Sequence, residues 1–160
     1  LSHMVINNNY SSYGNLGGRG IESYGSDFLL TNSTISGNNS WASGAGMHLS
    51  GSDAIITNVT IENNTVFLNG GGIYMTGSNP IFTNVTINNN SAYKSGGAIC
   101  CESGSHPTLA NVTITNNTTS NSGGGIYCGD NSNISHLLGQ FFYLSHLQFF
   151  LYDFYGNRCE

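Results

Sequence analysis

Apolar residues occur along this chain in short alternating runs, such as Val59/Ile61 and Ile73/Met75, and each run ends at asparagine or glycine. Alternation with a period of two is typical of a strand with one buried face, whereas a helix needs apolar residues at a spacing of about 3.6 over ten or more positions. No segment before Leu137 keeps the helical spacing that long. The pattern predicts strands of three to five residues, joined by turns rich in asparagine and glycine.

The runs belong to a sequence repeat. Cutting the chain at the apolar pair that opens each unit gives lengths of 26, 26, 27 and 26 residues, preceded by a partial unit. The partial unit spans residues 1–28, and the full units span 29–54, 55–80, 81–107 and 108–133. A fixed period of this length is the signature of a solenoid in which each repeat contacts its neighbours.

Identical residues recur at the same place in each unit, so the stacked repeats should form columns. Isoleucine columns would fill the interior, and asparagine columns would pair amides along the stack at bends that require a left-handed backbone. Glycine would stand where a side chain would collide with the next coil or where φ is positive. The columns are represented by Ile61, Ile87 and Ile114, by Asn58, Asn84 and Asn111, and by Gly72 and Gly125. We therefore predict an all-β, right-handed parallel β-helix of about five coils.

Charge narrows the range of partners. Charged residues make up 7% of the chain, against roughly 25% in an average soluble domain, and the net charge is −5 with only 3 Lys+Arg. A chain with so few cations cannot neutralise a phosphate backbone, which argues against binding to nucleic acid. No segment has the uncharged apolar length of a membrane span, and no motif predicts a cofactor.

The columns resemble a known family. Gly96-Gly97-Ala98-Ile99 matches the G-G-A-I motif of polymorphic outer-membrane-protein repeats, and Ile61-x-x-Asn64 matches their F-x-x-N motif with Ile for Phe. The chain thus resembles the right-handed β-helix superfamily with a pectin-lyase-like fold over residues 1 to about 136. The resemblance implies a secreted or cell-surface protein, associated with the outer membrane if bacterial, with a role in adhesion.

Enzymes of this fold are the alternative, because the resemblance also covers polysaccharide lyases and glycoside hydrolases. Such enzymes need clustered carboxylates on one outer face. Among the eight acidic residues only Asp27 and Asp53 share a column, and we expect them to be solvated turn residues or, as the weaker alternative, to help hold a cation. The sequence therefore favours a non-catalytic module.

One aromatic column is the main candidate for ligand binding. Each coil has a short glycine-rich step, which begins at Gly44, Gly70 and Gly96 in three consecutive coils. Trp41, Phe67 and Tyr93 each lie three residues before this glycine step. They either form an exposed stripe suited to stacking on sugar rings or pack on one another to seal a loop. A second outward column, which contains Tyr74 and Tyr127, would extend such a face.

Two further features leave alternatives open. Cys101 and Cys128 fall in an inward column, where they are either buried thiols or a disulfide between coils. Residues 137–160 lack the asparagine columns and are dense in aromatics, so they are either a cap or the product of a shifted reading frame. If they do not cap the last coil, its exposed edge predicts end-to-end association.

From the sequence we predict a structural or adhesive module that presents its columns to surface glycans or to proteins of a host or cell surface.

Overall fold

The computed structural model describes residues 1–11, 20–129, 131–134, 136–138 and 141–143. These residues form a parallel β-solenoid of about four turns, in which each turn adds one strand to each of three parallel sheets. The all-β fold predicted from the repeat is confirmed. Within the described residues no helix is long and apolar enough to cross a membrane.

Sheet A contains the longest strands, which follow one another in chain order along the solenoid, and its last strand in the chain also pairs with the strand Thr108–Thr115. Its strands are β1 Val5–Asn7, β3 Leu29–Ser36, β6 Ile55–Glu62, β9 Ile81–Asn88, β12 Thr108–Thr115, β15 His136–Leu138 and β16 Phe141–Tyr143.

Sheets B and C complete each coil. Sheet B consists of β4 Asn39–Ser40, β7 Thr65–Val66, β10 Ser91–Ala92 and β13 Thr118–Thr119. Sheet C consists of β2 Ile21–Tyr24, β5 Met47–Ser50, β8 Ile73–Thr76, β11 Ile99–Glu102 and β14 Ile126–Cys128.

The register is the one that the repeat predicts. Ile61 pairs with Ile87 on one side and with Ile35 on the other, and Ile87 pairs with Ile114. These isoleucines are almost completely buried. Ile6 pairs with Ile35, which places the partial first unit in the same stack. The apolar columns therefore form one continuous interior that runs the length of the solenoid.

The eight-residue strands of sheet A are longer than the three to five residues predicted. Each contains one asparagine of the outer column with φ between 48° and 55°, namely Asn32, Asn58, Asn84 and Asn111. A left-handed residue turns the chain, but backbone pairing resumes directly on its far side. Two predicted strands are thus joined at a bend. The side-chain amides of Asn58 and Asn84 each donate to the asparagine one coil before, at 3.1 Å.

The second asparagine column is buried and links three coils at a time. The backbone N and the Nδ2 of Asn64 both donate to Oδ1 of Asn90, each at 3.0 Å, and Nδ2 also donates to the carbonyl of Ile35 at 3.1 Å. Oδ1 of Asn64 accepts the same two bonds from Asn38. Since Asn38, Asn64 and Asn90 are fully buried, these amides satisfy backbone groups that no water reaches.

The glycine step is required for two separate reasons. Gly44, Gly70, Gly96 and Gly123 have φ between 67° and 78°, which disfavours other residues. The next glycines are limited by the following coil: a Cβ on Gly72 would lie 2.6 Å from the carbonyl oxygen of Ala98. Gly125 occupies the same place in the last full coil, where the nearest atom would be at 3.7 Å.

Strand pairing continues past the predicted end of the repeat. Leu137 pairs with Leu109, and Phe142 pairs with Ile114, at an offset of 28 residues in both cases. The backbone therefore enters a further coil although the asparagine columns have stopped, and pairing extends to Tyr143. Whether residues 144–160 act as a cap lies outside the described residues.

Asn64→Ala should be strongly destabilising, because it removes acceptors and donors from buried backbone and amide groups. We expect a loss of about 3 kcal/mol or more in the free energy of unfolding, since each buried unsatisfied group costs roughly 1–3 kcal/mol. Asn84→Gly is the matched control: it removes an exposed amide while keeping positive φ accessible, and should cost about 1 kcal/mol. Denaturant titration measures both, and equal losses would contradict a special role for the buried column.

Gly96→Ala and Gly104→Ala separate collision from backbone strain. The two glycines have φ of 68° and 73°. A Cβ on Gly96 would lie 2.4 Å from the carbonyl oxygen of Ile99, whereas a Cβ on Gly104 meets no atom within 4 Å. We expect about 1–2 kcal/mol of destabilisation for Gly104→Ala from the left-handed backbone alone, and a clearly larger loss for Gly96→Ala. Similar thermal shifts for the two variants would mean that this collision within the turn does not limit which residue the glycine step accepts.

Candidate functional site

Sheet B presents two columns of different chemistry on its outer side. The first is a polar column of Asn39, Thr65, Ser91 and Thr118, which are in register in β4, β7, β10 and β13. Two residues further along each coil lies the aromatic column, Trp41, Phe67 and Tyr93, and Ser120 takes this place in the next coil. Since strands of adjacent coils are about 4.8 Å apart, both columns run along the solenoid axis at that step.

The aromatic side chains pack on one another. The ring centroids of Trp41 and Phe67 are 4.8 Å apart with their planes tilted by 38°, and those of Phe67 and Tyr93 are 4.9 Å apart and parallel within 3°. Both faces of Phe67 are therefore covered by neighbouring rings, and solvent reaches mainly its edge. Yet Phe67 and Tyr93 remain 46% and 57% exposed. The column is thus a self-packed stack whose edges and whose Tyr93 end face solvent.

A groove of about 370 Å³ lies over these two columns. Asn39, Thr65 and Ser91 of the polar column and the small inward residues of sheet B form its floor, and the aromatic stack forms a wall. Tyr10, which pairs with Asn39 in an isolated bridge, lines the groove at the end of the first coil. Ser120 lines the opposite end. None of the described residues that line the groove carries a carboxylate, an ammonium or a guanidinium group.

Tyr74 and Tyr127, predicted to extend this face, lie on sheet C and do not line the groove. The hydroxyl of Tyr74 donates to Oε2 of Glu102 at 2.6 Å. Their column follows the glycine step, so it belongs to a different side of the coil from the aromatic stack. The groove therefore takes its aromatic residues from Tyr10, Trp41, Phe67 and Tyr93.

Sheet C carries a polar cluster that the sequence analysis missed. His48 is in register with Glu22, and its Nδ1 lies 3.7 Å from Oε1 of that carboxylate. The imidazole packs edge-on against Tyr24 and Tyr74, with ring centroids at 5.4 and 5.2 Å. Nδ1 of His48 is buried and has no hydrogen-bond partner. Glu22 and His48 are 26 residues apart, so the repeat period alone would have placed them in one column.

Burial determines the protonation of this histidine. Desolvation lowers the pKa of His48 below its ordinary value, and the nearby charge of Glu22 opposes that shift only in part. The hydrogen bond to Glu22 raises the pKa of the Tyr24 hydroxyl, with smaller contributions from burial and from the carboxylate charge. At neutral pH the cluster thus holds a neutral imidazole between two tyrosine rings.

Asp27 and Asp53 form part of a turn ladder. Oδ1 of Asp27 accepts the backbone N–H of Asp53 at 2.7 Å, and Oδ1 of Asp53 accepts that of Asn79 at 2.6 Å. Oδ1 of Asn79 accepts the backbone N–H of His106 at 3.1 Å, which continues the ladder by one more coil. One oxygen of each carboxylate is therefore engaged in holding the turn. Among the described residues no group of three or more His, Cys, Asp or Glu side chains is placed to hold a metal ion.

Cys101 and Cys128 occupy the inward column that was predicted for them. They pair in register, Cys101 also pairs with Met75, and both cysteines are buried as thiols. Each fills the place that Leu49 and Met75 fill in other coils. They therefore contribute small apolar side chains to the core.

The pH dependence of stability tests the environment of His48. Because its pKa is lowered in the folded state, the unfolded chain binds the proton more readily. The contribution of neutral His48 to the free energy of unfolding is complete above the unfolded pKa of about 6.5. It is lost as the pH falls from there through the folded pKa. His48→Tyr, which introduces the residue found one coil later, should remove this contribution to the pH dependence of stability. His106→Asn should retain it. The measurement is the denaturation midpoint between pH 7.5 and pH 5. An equal fall of this midpoint with decreasing pH in the parent and in His48→Tyr would contradict this interpretation.

Comparison with protein families gives one match, to the family described as the right handed beta helix region, over residues 2–142. Comparison with curated proteins and with solved structures gives no match. The family match includes the partial first unit and the pairing segments after Leu137, in agreement with the continuous stack of sheet A. The chain therefore belongs to the right-handed β-helix family.

Proposed function

We propose that this chain is a non-catalytic module of a secreted or cell-surface protein and that it binds a glycan in the groove over sheet B. The observation that carries the proposal is the combination of an exposed aromatic stack with a parallel column of hydroxyl and amide side chains. Binding sites of this kind combine apolar contact area with a few polar groups that fix orientation. Sugars offer both apolar C–H faces and hydroxyl groups.

The proposal assigns different tasks to the two columns. Tyr93 ends the stack, and because Ser120 follows it, its outer face is accessible for stacking on a sugar ring. The edges of Trp41 and Phe67 provide apolar contact along the wall. Thr65 and Ser91, on the floor, donate to and accept from sugar hydroxyls.

The carboxylate geometry supports a binding module over a two-carboxylate hydrolase. Glu22 and Glu102, the acids of the sheet C cluster, are three coils apart, which is about 14 Å along the axis at roughly 4.8 Å per coil. Glycoside hydrolases need their two carboxyl groups about 5–9.5 Å apart. Asp27 and Asp53 are closer but are bonded to the turn backbone.

The narrower resemblance to polymorphic outer-membrane-protein repeats, carried by Gly96–Ile99 and the Ile-x-x-Asn columns, supports a cell-surface location. The same location would place the groove where polysaccharides are encountered. Proteins of a host or cell surface are the other partners that such a module would meet.

Affinity electrophoresis of the whole chain in gels that contain soluble polysaccharides tests this function. At least one polymer should retard the parent chain, and Tyr93→Ala should weaken that binding about fivefold, because an aromatic contact contributes roughly 1 kcal/mol and 1.4 kcal/mol corresponds to a factor of ten. Tyr24→Ala, which removes an exposed tyrosine of sheet C, should bind like the parent.

Two results would overturn the proposal. One is that no polymer in the gels retards the parent chain. The other is the release of reducing ends or unsaturated products from polygalacturonate by the purified chain, because that result would identify an enzyme instead.

A further inference from the structure

The charge distribution and the direction of the groove restrict the class of glycan, if the groove is the glycan site proposed above. We infer that the groove takes a neutral, linear polysaccharide lying parallel to the solenoid axis, and that it discriminates against polyuronates.

The first argument is charge. A polyuronate carries a carboxylate on every sugar, and each one needs a cation, a bound metal ion or several N–H donors to replace its hydration. Among the described residues, those that line the groove supply hydroxyl, amide, aromatic and aliphatic groups, and none of them is charged. Lys94 follows Tyr93 in the chain but is not among those lining residues. The whole chain has a net charge of −5, so its long-range field also repels polyanions.

The second argument is direction. The floor column of Asn39, Thr65 and Ser91 and the aromatic wall are both generated by the coil repeat, so they run side by side along the axis. A chain laid along the groove meets one hydroxyl or amide side chain per coil. The step of about 4.8 Å between coils is close to the length of one pyranose unit in an extended chain. Successive sugars can therefore make equivalent contacts with successive coils.

The third argument is the accessible aromatic surface. Within the stack the ring faces are covered, since Phe67 lies against Tyr93 at an interplanar angle of 3°. A ligand that crossed the stack would meet ring edges alone. A ligand that runs along the floor passes the ring edges and can stack on Tyr93 where the column ends, above Ser120. The axial orientation thus uses more of the apolar surface than the transverse one.

The test compares neutral with acidic polymers on the same chain. The neutral linear probes are mixed-linkage β-glucan, glucomannan and pullulan, and the acidic probes are polygalacturonate and alginate, all in affinity electrophoresis at two salt concentrations. The parent should be retarded by at least one neutral polymer and by neither acidic polymer. Tyr93→Ala should weaken the neutral interaction about fivefold.

Thr65→Lys supplies a cation, which none of the described lining residues provides. It places an ammonium group at an exposed position in the middle of the floor. We expect it to weaken neutral binding and to produce retardation by polygalacturonate that disappears at high salt, because exposed charges are screened. Ser50→Lys, at a partly exposed position on sheet C, is the matched control and should change neither interaction.

The outcomes distinguish this inference from the function on which it rests. Retardation of the parent by an acidic polymer, reduced in Tyr93→Ala, would overturn the inference while leaving glycan binding in the groove in place. Failure of every polymer to bind would overturn both. Neutral binding that neither Tyr93→Ala nor Thr65→Lys reduces would place the glycan elsewhere and would also overturn both.

Discussion

The buried asparagine column is the interaction on which the rest of the structure depends. Each coil contains short strands that cannot bury an apolar face alone, so stability comes from stacking. The amide of Asn64 bonds to the coil before it and to the coil after it, in a place without water. A shift of one residue between coils would break these bonds and turn every inward side chain outward. The amides therefore fix the register that makes the apolar interior continuous.

Register then determines the surface. Once residues 26 or 27 apart lie over each other, any outward residue type that the repeat retains becomes a column along the axis. Trp41, Phe67 and Tyr93 stack because the coils bring their rings within 5 Å, and the polar floor beside them arises in the same way. The groove has ends because the repeat changes: Ser120 interrupts the aromatic column on one side and Tyr10 occupies the floor column on the other.

The sequence was sufficient to predict how the coils lie on one another. It predicted the contacts of the outward side chains poorly. The columns of Ile61, Ile87 and Ile114 are in the predicted register because a fixed period leaves only one way to align the coils. The aromatic column was also placed correctly, but the choice between an open stripe and a stack depended on ring orientation, which column alignment does not give. The structure has the rings stacked, with the groove at their edges.

Other features could not be read from the repeat for related reasons. The link between Tyr74 and Glu102 joins different positions of neighbouring coils, so comparison within one column does not find it. The buried serine ladder, in which the backbone N of Ser52 donates to Oγ of Ser78 at 3.0 Å, resembles an ordinary turn in the sequence. Pairing of Phe142 with Ile114 was missed because it follows the backbone after the asparagine columns have ended.

The most direct test of the central claim is to measure contacts between coils in solution by NMR. If the buried amides fix the register, nuclear Overhauser effects should connect the side chains of Ile61 and Ile87, and the Nδ2 protons of Asn64 should exchange slowly with solvent. The absence of contacts between Ile61 and Ile87, or rapid exchange of the Asn64 amide in the folded chain, would contradict the account.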